Sequence, residues 1–124
     1  MLTIELRSSN VPVSVALREH VSRRLDFAVG RFAHRIARIV VRLADVNGPK
    51  GGPDKRCRIL ARLSTERTVV VEATDADAYV AVSQAAIRLD ERVARTLALA
   101  RQRARPVAER RAARRSVPND REPA

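Results

Sequence analysis

The chain has almost no aromatic residues and too little acid to balance its base. One tyrosine, two phenylalanines and no tryptophan occur among 124 residues. That is too few for a sheet that reads single-stranded RNA by stacking successive bases on rings. A lone cysteine, Cys57, excludes an internal disulfide and points to a reducing compartment. His20, His34 and Cys57 do not fall in a metal-ligand spacing, so no metal or other cofactor is expected. No apolar run approaches the roughly 20 residues needed to span a bilayer. The start, MLTIELRSSN, alternates apolar with polar residues, where a secretory signal has a basic head and a continuous apolar stretch. The expected location is the cytoplasm, with no membrane partner.

What the chain has in excess is arginine. Lys and Arg total 25 against 14 Asp and Glu, for a net charge of +11 and a pI near 11.6. Lys50 and Lys55 are the only lysines. A GC-rich coding sequence accounts for arginine over lysine, but not for base over acid. A potential of this sign speeds encounter with polyanions. The length suits one domain that buries a core without disulfide or metal.

Hydrophobic periodicity orders the chain. Leu2, Ile4 and Leu6 alternate with polar residues as in a half-buried strand. Ser8 to Pro12 reads as a turn, and Ser14 as the cap of a helix running to about Phe32 with the stripe Leu17, Val21, Leu25, Ala28 and Phe32. Three further strands centre on Ile39-Val41-Leu43, Cys57-Ile59-Ala61-Leu63 and Val69-Val71-Ala73, the last two joined as a hairpin across Ser64 to Arg67. Glycine and proline open the 47–54 loop. A final helix is expected from about Asp75 to Arg105, with the stripe Tyr79, Val82, Ala86, Leu89, Val93 and Leu97. Asp75 and Asp77 favour its N-terminal dipole. The order β-α-β-β-β-α predicts an α+β domain, residues 1–105, with two helices on one face of a four-stranded sheet. Residues 106–124 lose the apolar period and read as a basic disordered tail.

Arg88, Arg92 and Arg95 recur on the side of the last helix away from its apolar stripe. On the first helix His20, Arg23, Arg24, Phe27 and Arg31 share a flank. If the helices pack side by side, these sets border a common groove. Guanidinium groups donate paired hydrogen bonds to phosphate oxygens, so such a groove suits an RNA backbone. A solvated helix face accounts for most charge runs, but few acids neutralise these, with Glu91 and Asp26 expected off to the side. The open sheet face offers Arg42, Arg58 and Arg62 in place of aromatics. Recognition is therefore expected through phosphate and RNA shape.

Catalytic signatures are weak. Gly48-Pro49-Lys50-Gly51-Gly52 lacks the Gly-Lys-Ser/Thr ending of a nucleotide-binding loop, and Lys50 and Lys55 read as contacts to RNA. Cys57 reads as a small core residue, His20 and His34 as helix-flank and helix-end residues. No small-molecule substrate is implied.

Residues 13–21, Val-Ser-Val-Ala-Leu-Arg-Glu-His-Val, with Arg24-Leu25 resemble the first helix of the bacterial ribosome hibernation-promoting factors, also described as ribosome-associated inhibitors or sigma-factor modulation proteins. Asp77-Ala78-Tyr79-Val80-Ala81-Val82 resembles that family's entry to its last helix, and Arg88 and Arg95 stand where the family carries lysine or arginine. The likeness covers about residues 2 to 100 and includes the strand order. It implies the same β-α-β-β-β-α fold, similar to a double-stranded-RNA-binding domain with an added strand, in the family's short form. It further implies a non-enzymatic translation inhibitor, monomeric off the ribosome, that occupies the messenger and transfer RNA channel of the small subunit. Arg23, Arg24, Arg31, Arg88, Arg92 and Arg95 would then face ribosomal RNA. The competing readings are a structured-RNA binder or chaperone acting off the ribosome, and a module that receives an acidic protein.

Overall fold

A computed structural model describes residues 2–46 and 54–103. Lys50, the 47–53 part of the Gly/Pro loop, and the 106–124 tail lie outside the described residues. The chain divides into two compact units, residues 1–94 and 95–124.

The element order is β1 (Ile4–Ser9), α1 (Val15–Val29), a 3₁₀ helix (Gly30–Arg35), β2 (Ile36–Asp45), β3 (Lys55–Leu63), β4 (Thr68–Asp75) and α2 (Ala78–Arg103). The four strands form one mixed sheet in the order β1-β2-β3-β4. β1 is parallel to β2, with Ile4 level with Ile39 and Leu6 with Val41, and the remaining pairs are antiparallel. A parallel pair requires a crossover connection, and α1 supplies it.

One face of the sheet carries Ile39, Val41, Leu43, Cys57, Ile59, Ala61, Leu63, Val69, Val71 and Ala73, all buried. The two helices pack against the sheet. α1 presents Leu17, Val21, Leu25, Ala28 and Val29 to the core, and the first unit's part of α2 presents Ala81, Val82, Ala85, Ala86, Leu89 and Val93. Every anticipated stripe residue of α2 is buried except Tyr79, which keeps 38% of its surface exposed. In the 95–103 segment Leu97 is buried and Leu99 exposed.

Local chemistry sets the boundaries. Ser14 Oγ accepts from the Leu17 amide at 3.0 Å, a cap worth about 1 kcal/mol. α1 was expected to reach Phe32 and instead ends at Val29, tightening into the 3₁₀ helix. Gly30 lowers helix propensity there, and Arg31 Nη1 donates to the Ala28 carbonyl at 3.0 Å, taking up a carbonyl the helix end leaves free. α2 starts at Ala78, three residues later than Asp75, because the aspartates act ahead of it. Asp75 Oδ2 accepts from the Asp77 amide at 2.9 Å, and Asp77 Oδ1 from the Tyr79 amide at 2.8 Å. The β3–β4 hairpin turns through Glu66 at φ 74°, a left-handed position, closed by the Leu63 amide donating to the Arg67 carbonyl at 2.8 Å.

Candidate nucleic-acid interface

α1 and α2 run in the same direction, side by side. At one end His20 Nε2 lies 3.1 Å from the Tyr79 carbonyl oxygen and 3.1 Å from Ser83 Oγ, with the His20 and Tyr79 rings 4.9 Å apart. At the other, Arg31 Nη2 donates to Asp90 Oδ1 at 2.6 Å. His20–Tyr79 and Arg31–Asp90 each join residues 59 apart in sequence, with Arg31 standing just past the end of α1 in the 3₁₀ helix.

This seam separates the arginines expected to share a groove. Tyr79, Ser83 and Asp90 define the side of α2 that faces α1. At roughly 100° per residue, Arg88 and Arg92 fall on nearly the opposite side of that cylinder. They line a shallow open depression of about 300 Å³ with Val70, Val71, Glu72 and Glu91. Arg88 Nη1 donates to the Glu72 carbonyl, which ties α2 to the outer edge of β4. Glu91, expected off to the side, therefore sits with these two arginines and weakens their field. The expected common groove is replaced by two basic flanks, one along the α1 side of the seam and one beside β4.

The candidate residues differ in how free they are. Arg31 is committed, bonded to Asp90 and Ala28 with its guanidinium carbon 4.2 Å from the Phe32 ring centroid. Arg23 is exposed and only loosely paired with Glu19, at 3.9 Å. Arg24 is half-buried, its guanidinium carbon 5.6 Å from the Phe27 ring centroid and its Nε without a hydrogen-bond partner. Arg92 is exposed, with no ion pair among the described residues. Arg95, in the second unit, is likewise exposed and unpaired there. Lys55 is half-buried, its ammonium 3.4 Å from the Asp45 carboxylate, so it is less available to a ligand than the exposed arginines.

The sheet face away from the helices has a pattern of its own. Val40, Leu60 and Val70 stand directly opposite one another across β2, β3 and β4, making a transverse apolar row. Arg42 and Arg58 flank it on one side, Arg38 and Arg62 on the other. Arg38 and Arg7 both donate to Glu5, and these hydrogen bonds, Arg38's first, hold its carboxyl below the usual range. Arg58 pairs with Glu72 and Arg62 with Glu66, while Arg42 and Arg56 have no ion pair among the described residues. Sequence reading identified Arg42, Arg58 and Arg62 on this face but not the apolar row, whose members align only once the register is known.

Among the described residues no cluster of three or more His, Cys, Asp or Glu side chains is placed to hold a metal ion, and no helix is long and apolar enough to cross a membrane. The geometry defines a small basic α+β protein, two helices packed on a four-stranded mixed sheet. The sequence profile of the family described as sigma 54 modulation protein / S30EA ribosomal protein matches residues 4–98. The chain belongs to that family.

Among solved structures, the N-terminal domain of Protein Y from Thermus thermophilus is 28% identical, with a TM-score of 0.64 over 77% of this chain and 99% of that one. A ribosomal subunit interface protein from Coxiella burnetii shares the fold at 21% identity and a TM-score of 0.64, over 77% of this chain and 97% of its own. A search of curated proteins gives no match.

Proposed function

We propose that this protein binds the small ribosomal subunit through its ribosomal RNA, occupies the channel used by messenger and transfer RNA, and so suppresses translation in idle or stressed cells. Membership of a ribosomal-protein family over residues 4–98 carries this reading. The two basic flanks support it, because exposed arginines on rigid helices can meet an RNA backbone with little ordering cost. Occlusion requires no chemistry, so the proposal is a cytoplasmic binding protein and not an enzyme. Residues 1–105 would carry the binding, with Lys50 and Lys55 as additional contacts. Off the ribosome the chain would be a monomer, since a net charge of +11 repels a second copy.

Co-sedimentation with purified small subunits, with duplex RNA as competitor, tests this directly. Saturable association that resists the competitor is expected. Loss of the signal to generic duplex would overturn the ribosomal reading in favour of a nonspecific RNA binder. Contact with about six to ten phosphates predicts that affinity falls roughly 10³- to 10⁵-fold between 50 and 200 mM salt. Filter binding across that range gives the slope, and a flat profile would exclude a phosphate-dominated interface.

A further inference from the structure

Phe27 is 80% exposed, the largest fraction among the exposed large hydrophobic residues of the described chain. It lies on the α1 flank beside the seam, among Arg23, Arg24 and Arg31. The Arg24 guanidinium approaches its ring to 5.6 Å from the centroid, within cation–π range. Arg24 makes no ion pair among the described residues, and its Nε has no acceptor. An uncovered aromatic face and a guanidinium against the ring therefore meet at one point of a basic surface.

We propose that Phe27 is the stacking platform for one unpaired nucleobase of the bound RNA, with Arg24 as the residue that positions the ring. This deepens, and rests on, the RNA-binding reading above. A phosphate needs no aromatic surface, and the bases of a continuous duplex are already stacked on one another. A bulged, looped or flipped base has an unsatisfied π-face, and stacking it on a ring is largely independent of its identity. An apolar protein segment would suit the Phe27 surface less well, because it would desolvate the surrounding guanidinium groups without supplying hydrogen-bond acceptors to them.

The chain contains no tryptophan, so Phe27→Trp introduces a single fluorophore at the proposed contact. Its emission should be quenched on titration with small subunits, saturating with the bound fraction measured by sedimentation. Phe27→Ala should weaken binding about 5- to 150-fold. Phe27→Leu, which keeps apolar bulk but has no π-face, should weaken it similarly, and Phe27→Trp should restore it. Full affinity in the Ala or Leu variant, or unchanged tryptophan emission at saturation, would overturn the proposal.

Failure of the ribosomal reading is a separate observation, namely that the unsubstituted protein does not sediment with subunits. In that event the same titrations with a hairpin RNA carrying a one-nucleotide bulge and its fully paired counterpart decide the matter. Tighter, quenching association with the bulged RNA supports the platform, and equal behaviour of the two overturns it.

Discussion

A protein in which Arg23, Arg92 and Arg95 are all replaced by glutamate should no longer sediment with small subunits at moderate salt, while its melting temperature stays within a few degrees of the parent. All three side chains are exposed, and the only ion pair any of them makes among the described residues is the loose 3.9 Å approach of Arg23 to Glu19. Exposed substitutions of this kind typically change stability by no more than about 0.5 kcal/mol. The electrostatic consequence is much larger, because three positive charges become negative. If each arginine meets a phosphate, the slope of log affinity against log salt should fall in magnitude by about 3. Affinity at moderate salt should then drop by at least about 100-fold. Arg88 and Arg31 are poorer targets, since each is fastened to another element through Glu72 or Asp90, and their loss mixes folding with binding. Unimpaired binding by the triple variant would remove these arginines from the interface.

The largest effect on stability is expected at Leu89. Its side chain is wholly buried in the middle of α2, facing the core with Val82, Ala85, Ala86 and Val93. Leu89→Ala removes its apolar contacts and leaves a cavity that a helix held at both ends of the seam cannot readily close. The cost should be about 2–5 kcal/mol, a large share of the roughly 5–15 kcal/mol that stabilises a domain of this kind. The melting temperature should fall on the order of 10–20 °C. Ile87→Ala, two residues away on the exposed side of the same helix, is the internal control and should change stability by at most about 0.5 kcal/mol. Denaturant titration of the two variants checks the contrast, and similar midpoints would mean that α2 is not packed as described.

The fold was legible in the sequence because apolar spacing reports which face of an element meets the core. Leu17, Val21 and Leu25, or Cys57, Ile59 and Ala61, need no tertiary information to be assigned inward. Element ends were less legible because they depend on partners. β1 was expected from Leu2, with a turn beginning at Ser8, and runs instead from Ile4 to Ser9; Ser8 and Ser9 extend it by pairing with Leu43 and Ala44 despite their polarity. The last turn of α1 depends on an arginine that reaches back to a carbonyl.

The site was legible in composition but not in arrangement. Periodicity places Arg88 and Arg92 away from the apolar stripe of α2, yet two flanks border such a stripe. Which of them faces α1 is decided by the parallel seam through Tyr79, Ser83 and Asp90. Phe27 was visible as a member of the basic flank of α1. That its ring is uncovered, with Arg24 against it, required the packed structure.

Cys57, near the start of β3, gives the molecule a built-in clock. Its side chain is fully hidden among core residues, and burial pushes its thiol up to about 12, so the nucleophilic thiolate is suppressed in the native state. A thiol reagent in neutral buffer should therefore label the native chain only as often as β3 opens, whereas urea-unfolded chain should react at once. The same ionisation is linked to stability. Below about pH 9 the thiol is neutral in both folded and unfolded chains; as pH rises from there towards 12, only the unfolded chain ionises readily, and folding is progressively disfavoured. Because Cys57 is buried, oxidant that reaches a closed molecule finds no accessible thiol, and the vulnerable population is the small fraction momentarily open.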